Sequence, residues 1–154
     1  MADGKANTLP EAARQAAMRI LSLAPSKTLE DTLRDFPPPQ YERLRGPETG
    51  LVMLRGRTGG GGEAFNLGEA TVTRCSVRLS TGEVGHSYVL GRDDGRAERA
   101  AWLDGMWQHP ATRELVETRV LAPLADAIEK ADGAVSAKSA RTRVEFFTMV
   151  RGED

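Results

Sequence analysis

The sequence has little of the chemistry that disulfides and metal sites require. Its only cysteine is Cys75, so no internal disulfide can form, and the chain suits a reducing compartment. Its only histidines are His86 and His109, so a histidine and cysteine metal site would need Cys75 and carboxylates from distant parts of the chain. We therefore expect this chain to bind no metal ion.

Long apolar runs and an excess of basic residues are also missing. No apolar run approaches the roughly 20 residues that a membrane span needs, and the first residues lack the basic and apolar regions of a signal peptide. The formal net charge is −1, whereas nucleic-acid-binding proteins are usually basic. We therefore expect a cytoplasmic protein that binds neither membrane nor nucleic acid.

What is present is typical of one soluble domain. Of the 154 residues, 40% are hydrophobic and 28% are charged, which is enough for one sizeable core. We interpret residues 1–154 as a single domain in which residues 1–8 form a disordered tail.

Two short helices are predicted before the first strand. Thr8 and Glu11 have the spacing of a capping box, and the helix that they begin should end near Pro25. A second helix should start at Ser26 or Thr28 and end at a run of three prolines, because proline removes a backbone donor and extends the residue before it.

The glycine-rich stretch from Gly46 to Arg92 predicts short antiparallel strands separated by turns. The alternation of residues 71–79 puts Cys75 on an apolar face, which favours an inert core thiol, and puts Arg74 and Arg78 on the opposite face. The predicted elements are strands over 41–45, 51–54, 71–79 and 84–90, with turns over 47–50 and 80–83. We expect the strand over 51–54 to be covered on both faces, because it is apolar throughout.

The C-terminal half predicts helices and a last strand. One helix should start around residues 93–95, and a second should run from Pro110 or Thr112 to about Lys130, bent or split at Pro123. Residues 133–139 are small and polar and predict a loop, and residues 144–150 predict a strand. The expected fold class is α+β: an antiparallel sheet carries the N-terminal helices and a central helical pair. The last strand is expected in that sheet, beside residues 51–57 or 71–79.

Several residues are candidates for contact with a phosphate group or with a protein partner. The four-glycine run after Arg57 would let backbone amides approach a phosphate, but it lacks the lysine of a P-loop, and a flexible hairpin loop is the plainer interpretation. Two arginines on one strand face suit anionic oxygens, yet exposed strand arginines or interface salt bridges are more common. His86 has no partner visible in the sequence, so a buried or interface histidine is the simpler reading. The candidates are Arg57, Gly59, Gly60, Gly61, Gly62, Arg74, Arg78, His86 and Arg92; no catalytic residue is assigned.

Three blocks of the sequence resemble one known family. RGPETGLVMLRGRTGGGGEAFNLGEATVTRCSVRL at residues 45–79, GEVGHSYVLGRD at 82–93 and VEFFTMVRGED at 144–154 are together similar to the G subunit of the bacterial carbon–phosphorus lyase core complex. The resemblance covers roughly residues 12–154, and the joint occurrence of three separate blocks makes it specific.

The resemblance implies a role in phosphonate breakdown, within a heteromeric core that contains the H, I and J subunits. In the first committed step, the G and I subunits, assisted by H and an ATPase-like L subunit, let an alkylphosphonate displace adenine from the ribose of MgATP. The product is a ribose 1-alkylphosphonate 5-triphosphate. MgATP is thus implied as a substrate of the complex, with no cofactor bound by this chain by itself, and the I subunit as its direct contact.

The resemblance carries no residue roles onto this sequence. Two hypotheses therefore remain: a transferase subunit that helps to form the site of displacement, and a scaffold that stabilises the I subunit without contacting substrate.

Overall fold

The structure is a computed structural model that describes residues 11–58 and 61–141. Two helices come first, α1 over Glu11–Leu23 and α2 over Ser26–Thr32. Three strands follow: β1 over Tyr41–Arg57, β2 over Ala64–Leu79 and β3 over Val84–Leu90. The remaining elements are α3 (Asp94–Gln108), α4 (Pro110–Val116), a π-helical turn (Glu117–Leu121) and α5 (Ala122–Arg141). The predicted α+β class is confirmed.

The described strands form one antiparallel sheet in the order β1-β2-β3. In β2, the predicted alternation is confirmed, since Cys75, Val77 and Leu79 are buried while Arg74 and Arg78 are exposed. The buried face packs against the helices, and it forms one core with α1, α2, α3 and the helical run after it. Burial raises the pKa of the Cys75 thiol, as expected of an inert core cysteine.

Helix α3 begins where the sequence predicted. The side chain of Asp93 accepts a hydrogen bond from the backbone N–H of Arg96 at 2.9 Å and so caps the helix. The predicted division near Pro123 is also present, because the π-helical turn lies directly before α5, which has Pro123 as its second residue. A proline lacks the N–H that an α-helix needs, and a change in the hydrogen-bonding pattern accommodates it.

The N-terminal part of the sheet differs from the prediction. Residues 41–45 and 51–54 are not separate strands, because β1 runs without a break through the predicted turn at residues 47–50. Pro47 lies where the register shifts between Arg45 and Glu48, and β2 is the one partner of this strand among the described residues, so the missing N–H interrupts no ladder there. The expectation that residues 51–54 are covered on both faces is wrong too, since Leu51 is 64% exposed. Strand β2 also starts earlier than predicted, at Ala64 rather than at residue 71.

The C-terminal part of α5 also differs from the prediction. Residues 133–139, predicted as a loop, are helical as far as Arg141. The segment is rich in alanine, whose helix propensity outweighs the cost of Gly133.

Two predicted segments, the tail at residues 1–8 and the strand at 144–150, lie outside the described residues, as does Thr8 of the predicted capping box. Residues 72–78 of β2 pair with β1 on one side and with β3 on the other.

Candidate functional site

The helices cover one face of the sheet and leave the other face open. Side chains of β2 and β3 alternate, so the open face carries polar and aromatic groups from both strands. Its central members, which we call the open-face cluster, are Arg74, Ser76, Arg78, His86 and Tyr88.

Each arginine of the open-face cluster is paired with a glutamate of β1. Arg74 donates from Nε and Nη2 to Oε2 of Glu48 at 3.2 and 3.1 Å, and Arg78 donates from Nη1 to Oε1 of Glu42 at 3.0 Å. The register places the partners directly opposite each other across the two strands. Contact with Tyr88 raises the pKa of Arg74, and the hydrogen bonds to Glu48 raise it further. An anionic ligand would therefore have to compete with a carboxylate for each guanidinium group.

His86 has a partner that sequence reasoning missed. Its Nδ1 lies 2.9 Å from Oγ of Ser76, the residue opposite it in the register. The turn predicted at residues 80–83 fixes that register, so the pair was within reach of the sequence. His86 is exposed, which excludes the buried alternative. A serine beside a histidine has the geometry of a nucleophile and its base, but a working site also needs a group that orients the base and a shelter from water.

The buried carboxylate of Asp104 in α3 was also missed. Asp104 is only 1% exposed, and it accepts hydrogen bonds from Arg14 of α1 at 2.7 and 3.0 Å, from Gln108 at 3.3 Å and from the backbone N–H of His86 at 2.9 Å. Hydrogen bonding to Asp104 raises the pKa of Arg14. An acidic residue within the apolar face of a predicted helix was the available signal. The carboxylate joins α1, α3 and the edge of β3, so we assign it a structural role.

The first two strands extend well beyond the third. Strand β3 pairs only with residues 72–78 of β2, whereas β1 and β2 stay paired out to Arg57 and Ala64. We call residues 51–57 and 64–71 the projecting arm. At about 3.3 Å per residue, it is a two-stranded ribbon roughly 20 Å long.

The candidate residues named from the sequence lie in three places rather than one. Arg57 is at the tip of the projecting arm, where its Nη1 donates to the carbonyl of Gly62 at 3.2 Å. Gly61 and Gly62 lie in the same turn, while Gly59 and Gly60 are outside the described residues. Arg92 follows β3 and is exposed near the base of the arm, where Gly91 donates to the carbonyl of Thr71. Arg74, Arg78 and His86 belong to the open-face cluster.

A small cleft lies between α1 and the edge of β3. It has a volume of about 240 Å³, and its lining includes Met18, Leu21, His86 and Tyr88. Among residues 11–58 and 61–141, no three histidine, cysteine or acidic side chains come together as a metal site would require. None of the helices in this part of the chain is long and apolar enough to cross a membrane.

Two comparisons with known proteins bear on this geometry. Residues 12–152 match the family described as phosphonate metabolism protein PhnG. The chain is also 49% identical, over 146 residues, to the alpha-D-ribose 1-methylphosphonate 5-triphosphate synthase subunit PhnG of Rhizobium meliloti (strain 1021). That alignment covers 93% of this chain and 92% of the relative. The chain therefore belongs to the PhnG family of phosphonate metabolism proteins.

Proposed function

We propose that this chain is the G subunit of a ribose 1-alkylphosphonate 5-triphosphate synthase. In the proposed reaction an oxygen of the alkylphosphonate forms a bond to C1 of the ribose of MgATP, the glycosidic bond breaks, and adenine leaves. The observation that carries the proposal is the 49% identity, over nearly the whole chain, to a protein named as a subunit of such a synthase. We propose the H, I and J subunits as partners, with direct contact to the I subunit, in the cytoplasm.

The described surface supports a role inside a complex. The projecting arm exposes Leu51, Met53 and Leu67 at 64%, 52% and 64%, and residues 129–135 of α5 are exposed, including Val135 at 65%. Monomeric proteins rarely leave so much apolar surface uncovered, and patches of this kind mark protein interfaces.

The geometry of the open-face cluster favours a supporting role for this chain over a role as the nucleophile. Ser76 and His86 lie on an exposed sheet face, where water would compete with any acceptor. Arg74 and Arg78 have carboxylate partners that offset their charges. We therefore propose that another subunit performs the displacement, and that this chain shapes or completes the site. The alternative is a scaffold that never contacts substrate. The two hypotheses differ only in whether the open-face cluster faces the substrate within the complex.

Adenine release tests the proposal. Purified H, I and L subunits are mixed with MgATP and methylphosphonate, with and without this chain, and free adenine is measured by chromatography. We expect adenine only when the chain is present. Equal adenine release in its absence would contradict the proposed function.

Two variants then separate the contributing subunit from the scaffold. Arg74→Gln and Arg78→Gln keep a polar side chain that can donate hydrogen bonds, but they shorten it and remove the charge. If the cluster contacts the triphosphate, we expect assembly to persist and the KM for MgATP to rise about ten-fold, as the loss of one charge-assisted hydrogen bond predicts. Unchanged kinetics in both variants would favour the scaffold.

A further inference from the structure

The projecting arm has two features that a solvent-exposed hairpin avoids. Within the described residues, both of its outer edges lack a strand partner, since β1 pairs only with β2, and the pairing with β3 starts at Val72. Long apolar edges are normally shortened, charged or covered, because they pair with other chains. A two-stranded ribbon is also only marginally stable by itself in water.

Both faces of the arm carry exposed apolar side chains, and the face toward the helices also carries Glu69, opposite Met53, and Arg55. The strand period and register place Leu51 and Met53 on the face toward the helices, and Leu54 and Phe65 on the face of Arg74. Leu67 lies over Gly56 on that second face, where a Cβ added to Gly56 would come within 2.3 Å of its Cδ1. These five apolar side chains are between 44% and 64% exposed.

The exposed area is close to what a stable contact needs. Five half-exposed large apolar side chains offer on the order of 500 Å², against about 800 Å² per partner in a standard interface. Since the area belongs to both faces, a flat partner surface would cover only half of it. A groove with two apolar walls would cover all of it.

The clefts found on the described surface are smaller than a groove that would take the arm of a second copy. The clefts beside α1 and beside the base of β1 hold about 240 and 410 Å³, the volume of small-ligand sites. Gln40, Glu42 and Arg78 are among the residues that line the second of these. A different polypeptide is therefore the better occupant.

We propose that the projecting arm inserts into an apolar, two-walled groove of the I subunit and is the principal contact between this chain and that subunit. The inference rests on the proposed function and adds the surface that makes the contact. The rest of the molecule then serves as a rigid base that holds the arm in place.

Charge insertion on each face tests the arm. Met53→Glu and Leu67→Glu are made in the full-length chain, and binding to the purified I subunit is measured by calorimetry. We expect Kd to rise by about ten-fold or more for each variant, because a carboxylate would be buried without a partner. Leu115→Glu is the matched control, since Leu115 is 39% exposed on α4, away from the arm, and we expect it to bind like the wild type.

Two further measurements on the isolated chain identify the occupant. We expect an unchanged Tm in both arm variants and an unchanged mass by light scattering, because none of the strands among residues 11–58 and 61–141 pairs with the outer edges of the arm. A Tm several degrees lower would show that a segment of the chain itself covers the arm. A wild-type dimer that the variants dissociate would show that a second copy does. Either result would overturn the inference, as would wild-type affinity in both variants. If the wild type itself fails to bind the I subunit, the partner named in the proposed function is wrong and the inference about this contact goes with it.

Discussion

The carboxylate of Asp104 joins α1 to α3 and β3 through hydrogen bonds. Asp104→Ala would remove the acceptor of the half-buried Arg14 and of the backbone N–H of His86, whereas Gln108 would keep the carbonyl of Val84. We expect a loss of about 3 kcal/mol in the free energy of unfolding, measured by urea denaturation, because breaking a buried ion pair strands its partner. Asp31→Ala is the control, since its pairs with Lys27 and Arg34 are exposed and worth about 0.5 kcal/mol or less. Equal losses in the two variants would contradict the structural role of Asp104.

Glu98 gives the stability of the fold a pH dependence. Its carboxylate accepts hydrogen bonds from Arg43 at 2.6 and 3.0 Å and from Tyr41 at 2.9 Å. The Arg43 bonds lower the pKa of Glu98 below its ordinary 4.5, and Tyr41 adds to this against the opposing effect of burial. A depressed folded-state pKa means that the stabilisation is present above the unfolded pKa and is lost as pH falls through the folded one.

The matching variant is Glu98→Gln, which cannot titrate. We expect it to have a lower Tm than the wild type at pH 7, and the gap to close as pH falls below about 4.5 toward pH 3. Glu42→Gln, whose side chain is 63% exposed, should show a much smaller gap at pH 7. A gap for Glu98→Gln that is independent of pH would show that the carboxylate charge contributes nothing.

At the scale of single residues, the sequence predicted which face of a strand a residue occupies better than it predicted which residue that side chain contacts. The alternation in β2 was enough to bury Cys75 and expose Arg74 and Arg78, because the period of a strand is local information. The pairing of those arginines with Glu48 and Glu42 depends on the register between β1 and β2. Because this register shifts twice near Pro47, counting residues along the strands does not give the pairs. The prediction that the arginines contact an anion or a partner stays a prediction.

At the scale of the elements, β3 and α3 approach each other closely at Gly85. A Cβ on Gly85 would lie 1.9 Å from the carbonyl oxygen of Ala101 and 2.6 Å from the backbone nitrogen of Gly105. Both obstacles are backbone, so neither can rotate away. We expect Gly85→Ala to lower the free energy of unfolding by about 3 kcal/mol, the upper range for overpacking.

Gly133→Ala is the control for that substitution. Gly133 lies inside α5, and nothing stands within 4 Å of a Cβ placed there. We expect this variant to be more stable than the wild type by about 0.5 to 1 kcal/mol, because alanine loses less entropy in a helix. A stable Gly85→Ala variant, measured in the same urea series, would mean that the sheet and α3 can separate at little cost.

Element types were largely predictable, while element lengths were not. Caps and prolines mark helix ends in the sequence, and Asp93 and Pro110 did so correctly. Strand β1 was divided in two because residues 46–50 carry glycine and proline, the residues of turns. An edge strand tolerates both, and whether a strand lies at an edge is a property of the sheet and not of its own residues.

At the scale of the whole molecule, the arm could not be found by pattern. An apolar run such as residues 51–54 normally indicates a strand buried on both faces, and here the same run is exposed because β3 ends short of it. If the arm lies in a partner's groove, the pattern described the complex correctly and the free chain incorrectly. The sequence then encodes burial that the chain achieves only when assembled.

The open edges of the projecting arm also bear on how the cell must produce this protein. A newly made chain that has not met its partner presents an apolar, unpaired ribbon, the kind of surface that chaperones hold and proteases remove. Copies synthesised in excess of the partner would be lost to turnover or aggregation. If the arm lies in a partner's groove as proposed, balanced synthesis of the two polypeptides would prevent this loss.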